Sequence, residues 1–211
     1  MRNLIIIGAR GFGREVYHLA TQCEGYGRDF CVKGFLDDKK ESLDGLCGYP
    51  MVLGDVESYD IEPDDVFVCA LGEPVYKKHY VEIMLGKGGV FISLVHPSAI
   101  ITFNTRLGQG SIVLSGAYLS CDLSLGDFIT FQPFCVIGHD ARIDSFCHLN
   151  SYAFMGGYAS LGEGVTLHTG AKVLPHKKIG SWATVGAGSV VLRNVKSGQT
   201  VFGMPAATII H

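Results

Sequence analysis

Large apolar residues recur at every sixth position through the second half of the chain, and this period limits the possible folds more than any other feature. The sixteen positions are Ile101, Leu107, Val113, Leu119, Leu125, Phe131, Ile137, Ile143, Leu149, Met155, Leu161, Leu167, Val173, Ile179, Val185 and Val191. An α-helix repeats every 3.6 residues and a strand alternates its faces every 2.0, so neither accounts for a period of six. The spacing predicts a parallel β-helix in which each hexad is one short strand and one corner, three to a coil.

Glycines follow the same period. A glycine comes directly after the apolar residue at 108, 126, 138, 156, 162, 180 and 186. Glycine suits corners whose backbone would strain other residues. With eighteen residues per coil, residues 101–196 predict about five coils, which stack to about 24 Å at the usual spacing of parallel strands. The period does not determine the handedness of the coil.

The first ninety residues follow a different pattern, in which apolar strands alternate with helices. The predicted strands are 4–7, 32–36, 66–70 and 90–95, and the predicted helices are 14–23 and 74–85. This alternation is typical of a small parallel sheet covered by helices. The sequence therefore predicts a small Rossmann-like parallel α/β domain at 1–95, followed by a β-helix domain with a C-terminal cap at 96–211.

A ligand of such a sheet lies at the carboxyl ends of its strands. The residues predicted there are Gly8, Arg10, Gly11, Asp37, Asp38 and Gly72. The loop has the spacing G-x-x-G-x-G, which departs from the dinucleotide pattern G-x-G-x-x-G and only weakly indicates a nicotinamide cofactor. Backbone amides at a helix N-terminus favour an anion such as phosphate, and Asp37 and Asp38 are candidate acceptors for sugar or base donors. Alternatively, Gly8 and Gly13 only allow close packing of helix on strand, and the two aspartates only end a strand.

Composition narrows the class of partner. The formal net charge of -3 provides no broad basic surface for nucleic acid or an anionic membrane. The apolar run Leu4 to Ile7 is too short for a signal-peptide core or a membrane span. The seven cysteines include no C-x-x-C pair, so reduced thiols are the simplest interpretation. We expect a cytoplasmic protein with a small-molecule partner.

The hexads, the closing segment 201–206 and several N-terminal motifs together resemble one known family. The N-terminal motifs are Gly8 to Glu15, Phe35-Leu36-Asp37-Asp38, Ala70-Leu71-Gly72 and His96-Pro97-Ser98-Ala99. The chain resembles the sialic acid O-acetyltransferase and bacterial UDP-amino-sugar N-acetyltransferase family. The resemblance implies a left-handed β-helix, a homotrimer and an N-terminal domain that binds a nucleotide-activated sugar. It also implies transfer of acetyl from acetyl-CoA to an amine or hydroxyl of that sugar, in surface glycan synthesis and without a metal.

His139 is the predicted general base. It lies in Val136-Ile137-Gly138-His139-Asp140, which is similar to the family's catalytic histidine followed by an acid. Histidine suits this task because its unperturbed pKa is about 6.5. Asp140 is predicted to orient the imidazole, which requires a corner between the two residues, and the family more often has glutamate there. Gly157 follows His139 by eighteen residues, so we expect it beside His139 in the next coil, with its amide available to an oxyanion.

Further residues are predicted to bind the substrates. By resemblance, His148 contacts the thioester region of acetyl-CoA, Gln132 lies near the acceptor, and Gly203 and Pro205 belong to the C-terminal cofactor motif. Gln132 is equally compatible with a solvated strand residue. The motif's usual lysine is absent, since Ala207 follows Pro205-Ala206. The candidate contacts for CoA phosphates are therefore Lys172, Lys177, Lys178 and Arg193, and simple surface exposure is the alternative interpretation of these lysines. His148 lies nine residues after His139, half a coil, so a shared site requires a neighbouring subunit. His168, His176 and His211 carry no predicted role.

Two other functions are compatible with a β-helix domain as such. A zinc hydratase of the carbonic anhydrase kind needs two prism histidines five residues apart, and those at 139, 148, 168 and 176 offer no such pair. A non-catalytic sugar-nucleotide-binding or scaffold module keeps the β-helix trimer without the chemistry. The combination of His139, Asp140 and Gly157 favours the enzyme over the scaffold.

Overall fold

The computed structural model describes residues 1–209, so the prediction for His211 lies outside the described residues. The chain divides into two compact units, the first from Met1 to Pro97 and the second from Ser98 onward. Among the described residues, no helix has the length and apolar character needed to cross a membrane.

The first unit is a four-stranded parallel sheet with two helices, as the alternating pattern predicts. Its strands lie in the order β3-β2-β1-β4. The bounds are β1 Arg2–Ile7, β2 Phe30–Leu36, β3 Val52–Gly54, β4 Asp65–Cys69, α1 Gly11–Gln22, α2 Pro74–Gly86, a 3-10 helix at Lys40–Leu43 and a short strand β5 at Leu94–Val95. The strands β1 and β4 carry buried apolar runs, at 4–7 and 66–69, because a parallel sheet covered by helices is buried on both faces.

The structure corrects the predicted elements of this unit in two places. The predicted strand 90–95 is reduced to β5, with an isolated bridge from Phe91 to Phe67. The edge strand β3 and the 3-10 helix were not predicted. Both are short, and a three-residue strand on a sheet edge carries too few residues to show an alternating pattern.

The second unit is a three-faced prism of short parallel strands. The first face contains β7 Ile112–Val113, β10 Thr130–Phe131, β13 His148–Leu149, β16 Thr166–Leu167, β19 Thr184–Val185 and β21 Thr200–Gly203. The second face contains β6 Ile100–Ile101, β8 Tyr118–Leu119, β11 Val136–Ile137, β14 Phe154–Met155, β17 Lys172–Val173 and β20 Val190–Val191. The third face contains β9 Ser124–Leu125, β12 Arg142–Ile143, β15 Ser160–Leu161 and β18 Lys178–Ile179. The antiparallel strand β22 Ala206–Thr208 pairs with β21 and ends the described prism.

The predicted period matches this architecture. Paired strands are eighteen residues apart, as in Val136 with Phe154, and the sixteen predicted positions lie in the prism interior. Thirteen of them are buried, and Ile101, Leu107 and Leu125, in the first two coils, are half-buried. The last coil is two residues shorter, since Thr184 pairs with Thr200.

The prism corners use left-handed backbone, and many of them do so without glycine. The non-glycine residues in this conformation are Asn104, Asp122, Phe128, Phe134, Asp140, Phe146, Tyr152, Tyr158, His176 and Trp182. Such a conformation costs a non-glycine residue roughly 1–2 kcal/mol. Rings on successive coils stack, as in Phe134 on Tyr152 with centroids 5.3 Å apart, and this contact offsets part of the cost.

Candidate functional site

His139 lies on the corner between the second and third faces, which we call the His139 corner. It follows the strand β11, whose Ile137 is buried in the prism, and Gly138 donates its amide to the carbonyl of Met155 in the next coil. These contacts hold the backbone in place while the imidazole points outward. The side chain is 55% exposed, so an acceptor can approach it.

Asp140 lies on the same corner as His139, and the chain turns there, as the predicted orientation of the imidazole by Asp140 requires. Its φ of +56° places it in the left-handed region, so that it does not point to the opposite face from His139 as it would on a flat strand. The Nδ1 atom of His139 lies 2.8 Å from the Asp140 Oδ2 atom. A carboxylate at Nδ1 favours the tautomer that is protonated there, which leaves the Nε2 lone pair free to accept a proton.

Gly157 lies next to the reactive edge of the imidazole. A Cβ atom at residue 157 would come within 2.8 Å of His139 Nε2 and 2.9 Å of its Cε1. Glycine is therefore needed for the ring to occupy its present position. Among residues 1–209, the Gly157 amide meets no hydrogen-bond acceptor, so it is available to a group bound beside Nε2.

Tyr158 also contacts His139, and the sequence analysis missed it. Its ring meets the His139 ring edge-on with centroids 5.3 Å apart, and it stacks on His176 at 5.0 Å. The nearby negative charge of Asp140 raises the pKa of Tyr158. The signal that could have found it is its position eighteen residues after Asp140, the same spacing that identified Gly157.

Two predicted residues lie away from the His139 corner within one chain. His148 begins β13 on the first face and is 3% exposed, so it presents almost no surface to a ligand and is not a solvated surface histidine. Gln132 is half-buried on the corner between the first and second faces. The prism therefore does not bring either residue to His139 within one subunit.

Lys172 and Lys177, both predicted to contact the CoA phosphates, lie on different parts of the prism. Lys172 begins β17 on the second face, whereas Lys177 lies on the His139 corner, two coils beyond Ala141. The next residue, Lys178, lines a groove of about 630 Å³ on the third face together with Arg142 and Lys196. The sequence analysis did not identify this groove, because its cations come from three different coils.

Gly203 and Pro205 lie at the hairpin between β21 and β22. The Gly203 amide donates to the Oγ atom of the buried Ser189, so this amide already has a partner in the chain. Pro205 is exposed at the tip of the hairpin.

The first unit has a cavity of about 550 Å³ at the carboxyl ends of β1, β2 and β4. Five of the six residues predicted there line it: Gly8, Arg10, Asp37, Asp38 and Gly72. Gly11 begins α1 but does not line the cavity. Tyr76 and Tyr80 on α2 also line it and were missed, although their spacing of four residues places both on one face of the helix.

Asp37 organises this cavity from within the protein. It is 8% exposed, and its carboxylate accepts hydrogen bonds from the Ala9 and Lys39 amides and the Ser42 hydroxyl. Burial raises the pKa of Asp37, but these bonds and the nearby Arg10 guanidinium outweigh burial and leave that pKa lowered. A carboxylate has about four acceptor positions, so Asp37 has little capacity left for a sugar or a base. Asp38 is exposed and bonds only to the Tyr80 hydroxyl among the described residues.

The loop glycines serve close packing, as the alternative interpretation proposed. A Cβ on Gly13 would overlap the carbonyl oxygen of Gly8, and a Cβ on Gly8 would lie 3.0 Å from the Ala70 carbonyl oxygen. The loop also lines the cavity, so close packing and an exposed loop occur together here.

Comparison with known proteins identifies similar sequences for parts of the chain. Residues 3–84 match the PglD N-terminal domain family. The chain is 33% identical over 120 residues to UDP-N-acetylbacillosamine N-acetyltransferase of Bacillus subtilis, and this match covers 54% of the chain and 52% of that relative. The chain therefore spans about half the length of this curated relative.

Solved structures are similar over nearly the whole chain. The acetyltransferase domain of PglB from Neisseria gonorrhoeae, in complex with acetyl coenzyme A, is 30% identical with a TM-score of 0.88, and the match covers 99% of both chains. A histidine-to-asparagine variant of perosamine N-acetyltransferase from Caulobacter crescentus, in complex with CoA and GDP-perosamine, is 26% identical with a TM-score of 0.88 over 100% of this chain and 98% of the other. These likenesses confirm the predicted fold class, a Rossmann-like unit followed by a left-handed β-helix.

Proposed function

Because the chain belongs to the hexapeptide-repeat family of bacterial sugar N-acetyltransferases, we propose that it transfers an acetyl group from acetyl-CoA to an amine of a nucleotide-activated amino sugar. The observation that carries the proposal is the His139 corner, where a base, its orienting carboxylate and a free backbone amide lie together. We propose that the reaction belongs to surface glycan synthesis, as the resemblance implies, and that it takes place in the cytoplasm.

The chemistry follows from the positions of these groups. The Nε2 atom of His139 removes the proton as the acceptor nitrogen forms its bond to the thioester carbonyl carbon. Asp140 stabilises the imidazolium that results, and the Gly157 amide donates to the oxyanion. The C–S bond then breaks, and His139 returns the proton to the departing CoA sulfur. A hydroxyl acceptor would use the same groups, so the acceptor panel below includes both kinds.

The cavity of the first unit is the proposed site for the nucleotide. The α1 N-terminus and Arg10 provide positive potential for phosphates. Asp38 and Tyr80 offer acceptor and donor groups to the sugar or base, whereas Asp37 supports the loop. We expect UDP or GDP to bind, measured by calorimetry, and Arg10→Ala to weaken binding. Equal binding by the variant would exclude Arg10 as a phosphate contact.

The third-face groove is the proposed site for the CoA phosphates. Arg142, Lys178 and Lys196 line this groove and give it positive charge, and Lys177 precedes Lys178 on the His139 corner. We therefore favour Lys177 and Lys178 over Lys172, which lies on another face. Lys178→Glu is expected to raise the KM for acetyl-CoA with little change in kcat, and Lys172→Glu is the comparison.

We propose a homotrimer because the second face of the prism carries exposed apolar residues. Its outward residues Ile100, Tyr118 and Val136 are apolar and exposed by 54%, 39% and 38%. An exposed apolar patch of this kind marks an interface, and a closed ring of copies of one chain covers it by repeating a single contact. The His139 corner borders this face, so a neighbour would complete the site and could supply residues such as Gln132.

The test of the trimer is its mass by light scattering. Three copies of 22.7 kDa give about 68 kDa. Val136→Asp is expected to dissociate the assembly, whereas Ser124→Asp, an exposed position on the third face, is expected to leave it intact. A wild-type mass of 22.7 kDa at assay concentration would overturn the proposal.

The activity is tested by thiol release from acetyl-CoA. The acceptors are UDP- and GDP-linked amino sugars and free sialic acids, and the proteins are the wild type, His139→Ala and His168→Ala, an exposed prism histidine away from the corner. Loss of the base is expected to lower turnover by 10²- to 10⁴-fold, with no loss in the His168 variant. No turnover on any acceptor would favour the scaffold function, and full activity of His139→Ala would exclude His139 as the base.

A further inference from the structure

Lys87 directly follows α2, and its ammonium group reaches the chain between β3 and β4. The Nζ atom donates to three backbone carbonyls, those of Val56 at 3.0 Å, of Tyr59 at 3.1 Å and of Glu57. A lysine ammonium has three donors, so all of them are used here. We call residues 56–59 the 56–59 turn.

The carbonyls that Lys87 binds are not satisfied by the backbone. Among residues 1–209, no backbone amide donates to the carbonyls of Val56, Glu57 or Tyr59. The backbone of Lys87, in contrast, is fixed, since its amide donates to carbonyls in the last turn of α2. Lys87 therefore ties an irregular segment to the end of a regular helix.

The 56–59 turn and α2 both contribute to the cavity of the first unit. Val56 lines this cavity, as do Tyr76 and Tyr80 of α2. Lys87 follows Tyr80 by seven residues, close to two helical turns, so the two side chains leave the helix on the same face. By holding the turn against α2, Lys87 fixes the Val56 part of the lining relative to the tyrosines.

We propose that Lys87 is a positioning residue of the nucleotide site, which holds the 56–59 turn so that the cavity is formed before a nucleotide enters. The inference rests on the proposed binding of a nucleotide-activated sugar in this cavity. Lys87 does not line the cavity, and it does not touch the nucleotide in this scheme. It acts on affinity through the fraction of molecules whose cavity is formed, since an apparent Kd is the intrinsic Kd divided by that fraction.

The test is Lys87→Met, which keeps a long unbranched side chain and removes the three donors. If the turn is then in place about one tenth of the time, the Kd of UDP or GDP rises about 10-fold in calorimetry. The KM for the nucleotide sugar should rise to the same extent. The kcat and the KM for acetyl-CoA should stay within twofold, because saturating nucleotide sugar restores the formed cavity.

Hydrogen exchange provides a direct measure of the turn itself. In the nucleotide-free Lys87→Met protein, the amides of the 56–59 turn should exchange faster than in the wild type, because their segment opens more often. Added nucleotide should slow that exchange.

The matched control is Lys78→Met, which removes a lysine of the same helix whose ammonium pairs with Glu82 at 3.8 Å. We expect wild-type Kd and wild-type exchange for it. Lys87→Gln, which retains two donors, is expected to lie between the wild type and Lys87→Met, and it replaces the methionine variant if that variant unfolds.

A Lys87→Met protein with a Kd and a turn exchange within twofold of the wild type would overturn the role of Lys87, as would an equal loss in Lys78→Met. A wild type that binds neither UDP nor GDP would instead refute the proposed nucleotide site. The exchange of the nucleotide-free proteins would then still show whether Lys87 holds the turn.

Discussion

Replacing Gly157 with alanine tests the geometry of the His139 corner most directly. The new Cβ atom would lie 2.8 Å from His139 Nε2 and 2.9 Å from Cε1, whereas ordinary contacts between such atoms begin near 3.4 Å. The imidazole must therefore move by about 0.6 Å or more. It is the outer end of an exposed side chain, so it can move without disturbing the prism interior.

The variant is therefore expected to fold normally and to lose activity. Alanine in place of glycine restricts the unfolded chain and stabilises a compatible site by about 0.4–1 kcal/mol, so the melting temperature should not fall. A displacement approaching 1 Å of the base costs on the order of 10²-fold in rate. We expect kcat to fall by about 100-fold and the KM for acetyl-CoA to change little.

The assay is thiol release, run beside thermal unfolding of the same samples. In a His139→Ala background the Gly157→Ala substitution should add little loss, because the ring that it displaces is absent. Gly86→Ala is the control, since a Cβ there meets no other described atom within 4 Å. A Gly157→Ala enzyme with wild-type kcat, or one whose lost activity tracks a lowered melting temperature, would refute the reasoning.

Three further predictions concern stability and reactivity. Gly13→Ala should unfold the first unit because its Cβ overlaps the Gly8 carbonyl, whereas Gly11→Ala, with open space around its Cβ, should melt like the wild type; equal melting temperatures would contradict this. Asp37→Asn should cost about 1–3 kcal/mol in urea unfolding. Because the folded pKa of Asp37 is lowered, its contribution is present above the unfolded pKa of about 3.9 and is lost as pH falls through the folded value; a variant whose deficit persists unchanged at pH 2 would contradict it. With a thiol reagent, the exposed Cys47 should react first, and Cys69, whose pKa is raised to about 12 by burial, only on unfolding; rapid labelling of Cys69 in the folded protein would contradict this.

The sequence alone predicted the architecture of the chain because the determinants of that architecture are periodic and local. Inward residues of a β-helix recur every six positions, so the apolar series from Ile101 to Val191 predicts the prism. The alternation of apolar runs and helices likewise predicts the sheet of the first unit. The eighteen-residue period also predicted that Gly157 lies beside His139, as it does in the structure.

Only the tertiary structure decided which predicted residues are available for chemistry. Asp140 reaches His139 because of its left-handed backbone, Asp37 uses its oxygens on its own loop, and His148 is buried. Tyr158 joins the corner through a ring that meets His139, and its backbone is also left-handed. Burial, side-chain direction and the occupancy of hydrogen-bond acceptors arise from neighbours distant in the chain, so residue type and spacing alone do not determine them.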